Sequence, residues 1–195
     1  MAIAGIVCLV LFAGLAVGIR QPAVERLDAR VTEKVVGLRR PGLNTVMFFF
    51  TQLGRFSGVL VVMIALALIP GFWRGMVQPA GIALTVSWWV AFALKRVLKR
   101  PRPEGQRLTE ETDHSFPSFH ATCSAALYLS LALGGAALYP QLAFWLGAAA
   151  VIIAGLIGFS RIYLGVHFLT DVTGGWLFGS GITLLVWAVL ARVAG

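Results

Sequence analysis

From Ser115 to Ser160 the chain reads SFPSFHATCSAALYLSLALGGAALYPQLAFWLGAAAVIIAGLIGFS, without one lysine, arginine, aspartate or glutamate. A helix crosses the ~30 Å hydrocarbon core of a bilayer in about 20 residues, so this run is long enough to cross twice. Gly134-Gly135 and Tyr139-Pro140 interrupt it with helix-ending residues, and it therefore predicts a helical hairpin. Working outward, further uncharged runs occupy 1–19, 56–73, 75–94 and 172–191. Together they predict six spans, roughly 2–19, 56–72, 75–98, 118–138, 140–160 and 168–192. Lipid cannot satisfy backbone polar groups, and no ten-residue alternation of a barrel strand is present, so the spans are helices. The fold class expected is all-α, an integral membrane bundle of six transmembrane helices, with residues 1–195 forming a single domain.

Composition agrees. Hydrophobic residues make up 58% of the chain and charged residues 12%, at a mean hydropathy of +0.86, which excludes a water-soluble globule. The net charge of +8 resides at the ends of apolar runs and in two loops, a placement suited to phosphate-bearing lipid headgroups and not to nucleic acid. Cys8 and Cys123 lie within apolar runs, where thiols act as small hydrophobes. Positions 1–19 lack the basic start of a signal peptide and predict an uncleaved first span. Residues 20–40 interleave charges with Val24, Leu27, Val31, Val35 and Leu38 at helical spacing, which predicts an amphipathic helix at the interface. Residues 41–54 read as a short apolar lead-in to the second span.

Three polar clusters break this pattern. Lys95 to Pro103 ends the third span, Pro117 to His120 begins the fourth, and Ser160-Arg161 through His167 to Asp171 joins the fifth to the sixth. Consecutive spans reverse direction, so both loops open on one side of the membrane and the clusters can converge there. Pro101 and Pro103 stop the helix and leave Arg102 in extended chain beside Lys95. Arginine offers a planar fork and lysine a compact charge, a pairing suited to a doubly charged anion. Arg96, Lys99 and Arg100 read more plainly as interfacial cations. Ser118 stands where free N–H groups open a helix, as an N-cap or as an anion ligand. His167 and Asp171 have the spacing of one helical face, on which a carboxylate fixes the imidazole tautomer and leaves the other nitrogen as nucleophile or base. Arg161 reads either as an anion ligand or as the ion-pair partner of Asp171.

Lys95-x6-Arg102-Pro103, Pro117-Ser118-x-His120 and Ser160-Arg161-x5-His167-x3-Asp171 resemble, in order and spacing, the three-part signature of the type-2 phosphatidic acid phosphatase superfamily. The six-span layout is similar to its bacterial membrane branch. Phe119 departs from that pattern, where glycine is usual, and its side chain predicts a helical backbone with negative φ.

The resemblance implies metal-free hydrolysis of a lipid phosphate or diphosphate, of the phosphatidylglycerol phosphate, phosphatidic acid or undecaprenyl diphosphate class, with no cofactor. In that scheme His167 attacks phosphorus, Asp171 holds its ring and His120 protonates the leaving oxygen. Lys95, Arg102, Ser118, Phe119 and Arg161 line the phosphate position. The partners implied are a lipid phosphate substrate and membrane lipids. The alternative is a non-enzymatic lipid-binding or transport protein that keeps an anion site. All basic residues except Arg74 and Arg192 fall on the side of the polar loops, which by the positive-inside rule would face the cytoplasm. The resemblance implies the reverse, a multi-pass protein of the inner (plasma) membrane whose active site faces the periplasm or exterior.

Overall fold

The computed structural model describes residues 1–105 and 107–194, which form eight α-helices and no strand. They are α1 (Ala2–Gly18), α2 (Pro22–Val36), α3 (Pro41–Gly54), α4 (Phe56–Ala67), α5 (Gln78–Leu98), α6 (Phe119–Leu138), α7 (Ala143–Tyr163) and α8 (Leu169–Ala194). A π-turn at Trp73–Val77 extends α5, and a 3-10 turn at Pro140–Leu142 leads into α7. The expected hairpin of two helices is thus α6 and α7, broken at Tyr139-Pro140 but not at Gly134-Gly135, which lie inside α6.

Four of these helices are long and apolar enough to cross a membrane unaided: Trp73–Leu98, Phe119–Leu138, Pro140–Tyr163 and Leu169–Val193. Two helix pairs pass the same test only together and are sharply bent, α1 with α2 at 97° and α3 with α4 at 64°, so the described helices give four spans, or six if each bent pair is one. The straight second span expected over 56–72 is therefore corrected. At 12 residues α4 is only about 18 Å long, and α3 supplies the remainder across the bend. Arg55, in extended backbone, caps the end of α3 and the start of α4. Gly58 packs against the Gln52 carbonyl, where any side chain would collide, so the sharp bend depends on glycine there.

The α6 helix lies at the centre, with 61% of its span buried against at most 33% in the other three long helices. Its buried face is built from small residues, among them Ala121, Ser124, Ala125 and Ala126. Apolar burial adds little to helix association in lipid, so close backbone packing takes its place. Gly175 and Gly179 of α8 provide it: a methyl group at Gly175 would meet the Ser118 carbonyl and Ala121 Cβ at 2.8 Å, and one at Gly179 would strike the Thr122 carbonyl. This contact sets Asp171, one turn earlier on α8, beside Ser118. On the outer surface Ile3, Val10, Phe144, Trp145 and Val151 are each more than half exposed, an apolar belt suited to acyl chains.

The α2 helix packs on α7 and α8 with part of the apolar stripe that the sequence predicts, namely Val24, Val31 and Val35. Leu27 and Leu38 are exposed, and the one fully buried residue is Asp28. The inward face is Val24, Asp28, Val31 and Val35, a stripe that carries a charge at its middle.

Candidate active site

The α5 helix ends at Leu98, and Lys99 closes it in the left-handed conformation (φ 46°), its N–H bonded to the Lys95 carbonyl. Arg100 precedes Pro101 and so leaves helical geometry. The loop that follows is tied down at three points: Leu108 N–H donates to the Leu164 carbonyl (3.0 Å), Ser115 N–H to the Arg100 carbonyl (2.8 Å) and Ser118 N–H to the Asp171 carbonyl (3.0 Å). The turn from Leu164 to Phe168 folds back on Arg161, whose carbonyl accepts from Val166 and His167 N–H. All three polar clusters meet at this end of the bundle.

His167 and Asp171 are both buried. They do not make the direct helical pair that their spacing predicts, because α8 begins only at Leu169 and His167 lies in the preceding turn. Nδ1 of His167 stands 3.5 Å from Asp171 Oδ2, and the Ser115 hydroxyl lies beside both, donating to Oδ2 at 2.5 Å with its oxygen 3.3 Å from Nδ1. Phe168 N–H also donates to Oδ2, at 2.8 Å. On the other side of the ring, Arg102 Nη1 is 3.0 Å from Nε2. Guanidinium nitrogens only donate, so Nε2 is the acceptor and the ring proton sits on Nδ1. Burial, followed by Arg102, Arg161 and Lys95, holds the imidazole pKa well below its ordinary value. Burial and these cations together outweigh the opposing pull of Asp113.

Lys95, Arg102 and Arg161 are all at least nine-tenths buried. Two carboxylates from the loop pair with them. Asp113 bridges Lys95 (2.8 Å) and Arg102, one oxygen to each. Glu111 pairs with Arg161 and stands 3.9 Å from Arg102. Although burial opposes it, Lys95 and Arg102 hold the Asp113 carboxyl below the usual carboxylate range. Arg161 also donates to Thr51 Oγ1 at 2.7 Å, which brings α3 into the site. Among the described residues, the buried polar atoms without a partner include Ser118 Oγ, His120 Nε2 and Arg161 Nε. Ser118 forms no side-chain cap, so its hydroxyl is free.

Phe119 is the first residue of α6 and has negative φ, as its side chain predicts. Its ring lies 4.7 Å from Lys95 Nζ and stacks on Trp88 at 6.0 Å. The ring thus faces the Lys95 ammonium.

Two sequence readings are corrected here. Arg161 pairs with Glu111 and not with Asp171. Arg100 is not an interfacial cation: it is buried and donates to Asp171 Oδ1 at 2.6 Å and Asp28 Oδ2 at 2.7 Å. Sequence reasoning gave Asp28, Arg100, Glu111, Asp113 and Ser115 no place beside the three motifs. The acidic run Glu110-Glu111-Thr112-Asp113, set between two basic motifs, was the available signal for the loop acids. Asp28 had none, since it reads as one more charge on an amphipathic helix.

The PAP2 superfamily profile matches residues 76–194. Phosphatidylglycerophosphatase B of Bacillus subtilis (strain 168) is 34% identical over 179 residues, covering 88% of this chain and 87% of that protein. An undecaprenyl-diphosphatase of Sulfolobus acidocaldarius is 35% identical over 153 residues, covering 73% and 68%. The crystal structure of a transmembrane PAP2-type phosphatidylglycerolphosphate phosphatase from Bacillus subtilis superposes with a TM-score of 0.90 at 30% identity, covering 97% of this chain and 96% of the other.

Proposed function

The chain belongs to the PAP2 superfamily, and we propose that it hydrolyses a phosphate monoester or diphosphate carried by a membrane lipid, through a phosphohistidine on His167 and without a metal ion. The observation that carries this reading is the bare Nε2 of His167, held against Arg102 among buried cations. Nε2 attacks phosphorus. The bond to the departing oxygen breaks, its electron pair leaves with that oxygen, and His120 supplies the proton. Asp171, through the Ser115 hydroxyl, holds Nδ1–H and offsets the positive charge that develops on the ring. Water then cleaves the phosphorus–nitrogen bond, with His120 as base, releasing inorganic phosphate and the free imidazole.

Lys95, Arg102 and Arg161 stabilise the non-bridging oxygens, with the unpartnered Ser118 hydroxyl and the N–H groups at the start of α6 as further donors. Fixed cations here supply the charge that many phosphoryl-transfer sites take from metal ions. The named activities of the relatives favour phosphatidylglycerol phosphate or undecaprenyl diphosphate as substrate class, and the sequence signature adds phosphatidic acid. The site faces the exterior or periplasm of the plasma membrane in this reading.

The test is phosphate release by the purified protein in detergent, with a strong chelator, from a panel of diacyl and polyprenyl phosphates and diphosphates. The expected result is chelator-resistant turnover of at least one, together with an acid-labile phosphoryl label that disappears in His167→Ala. Binding of these lipids without release from any of them would make the chain a lipid-binding protein instead.

A further inference from the structure

On the Nδ1 side of His167 lies a second charge cluster that the reaction above does not use. Asp28 is fully buried, with every oxygen engaged: Oδ2 accepts from Arg100 Nη2 at 2.7 Å and from the Thr170 hydroxyl at 2.5 Å, and Oδ1 accepts from Thr170 N–H at 3.0 Å. Arg100 Nη1 donates to Thr170 Oγ1 at 2.7 Å and to Asp171 Oδ1 at 2.6 Å, and its guanidinium rests 4.7 Å from the Phe168 ring. Burying a charge on a surface helix is expensive, and a pair that only fastened α2 would be replaceable by apolar contacts. Here the guanidinium reaches the carboxylate that serves His167.

Charge arithmetic gives Asp28 a purpose. Arg100 alone would neutralise Asp171 and leave His167 no net anion against which to develop positive charge. Asp28 offsets Arg100, so the trio carries one net negative charge beside the imidazole. We infer that Asp28 and Arg100 are positioning residues for the reaction: Arg100 aims Asp171 at His167, and Asp28 preserves the anionic character of Asp171. Its purpose rests on the phosphatase reading; its measurement does not. The other charged or titratable groups around His167 are Lys95 of α5, Arg102 and Asp113 of the loop, His120 of α6 and Arg161 of α7. They are common to every variant below, so differences report on the trio.

The experiment is an NMR titration of the full chain in detergent micelles with 15N-labelled histidine, the signal of His167 being identified by its loss in His167→Gln. Arg100→Gln leaves two carboxylates and raises the His167 pKa, whereas Asp28→Asn leaves Arg100 unbalanced and lowers it, each by about one unit. The double variant restores the net charge and returns the titration toward that of the parent. In turnover, each single variant lowers kcat by about tenfold or more while KM stays within about twofold. Unchanged titration in both single variants, with only a lower thermal midpoint, would reduce the cluster to a structural fastening and overturn the inference. If Arg100→Gln does not fold, Arg100→Lys decides: it keeps the charge but loses the fork, so parental titration with reduced kcat supports the inference and parental kcat overturns it. Absence of turnover in the parent protein sinks the phosphatase reading alone, since the titration is read without substrate.

Discussion

A histidine serves as a nucleophile only while one ring nitrogen is bare, and burial with Arg102, Arg161 and Lys95 holds His167 in that state. Its pKa lies below the ordinary 6.5, so the acid limb of kcat/KM assigned to His167 falls below pH 6.5 and not at it. The sign for stability follows by linkage. Below pH 6.5 the unfolded chain binds a proton at this imidazole that the folded chain does not, so the contribution is complete above pH 6.5 and is lost as pH falls from there toward the lowered folded value. A thermal midpoint that declines over this range in the parent, and declines less in His167→Gln, is the expected measurement. Phe119 gives a second prediction at this scale. Phe119→Leu keeps apolar bulk but removes the ring face under Lys95. Loss of a cation–π contact of ~1 kcal/mol raises KM about fivefold and changes kcat little.

At the scale of elements, the loop between α5 and α6 does two jobs. It brings Arg102 to His167, and it sets Glu111 and Asp113 on the cations that a phosphoryl group would need. An entering phosphate has to displace those carboxylates. Asp113→Asn is therefore expected to lower KM on the order of tenfold, equivalent to ~1.4 kcal/mol of removed competition, measurable as substrate dependence of phosphate release. The α6–α8 contact is the other determinant. Gly175→Leu places side-chain atoms where 2.8 Å already separates a Cβ from the Ser118 carbonyl, so it destabilises the fold by about 1–3 kcal/mol. It also moves Asp171 away from Ser115, and activity falls further than the thermal midpoint alone would explain. Much of this was legible beforehand: spans from uncharged runs, and Lys95, Arg102, His120, Arg161, His167 and Asp171 from spacing. The bend at Arg55 was not, because hydropathy does not register direction. Nor were Asp28 and Ser115, whose partners Arg100 and Asp171 lie 72 and 56 residues away in the chain.

At the scale of the molecule, the conflict over orientation takes physical form. The positive-inside rule counts cations near span ends and would turn the polar end of the bundle toward the cytoplasm. Yet Lys95, Arg100, Arg102 and Arg161 are buried and paired with carboxylates of the same chain, so they are committed to the site and not to the membrane surface. The cations that remain on that end still outnumber Arg74 and Arg192, and charge counting alone keeps its answer. The function proposed above takes the opposite one, with the site outside. Arg107 is exposed in the loop over the site, which makes it the reporter that separates the two. With the native Cys8 and Cys123 replaced by alanine, Arg107→Cys in intact cells is expected to react with a membrane-impermeant maleimide added outside. Arg74→Cys, on the exposed turn at the far end of α5, is expected to react only after the membrane is opened. Reversal of this pattern would put the site in the cytoplasm, and its substrate would then be a lipid phosphate of the inner leaflet.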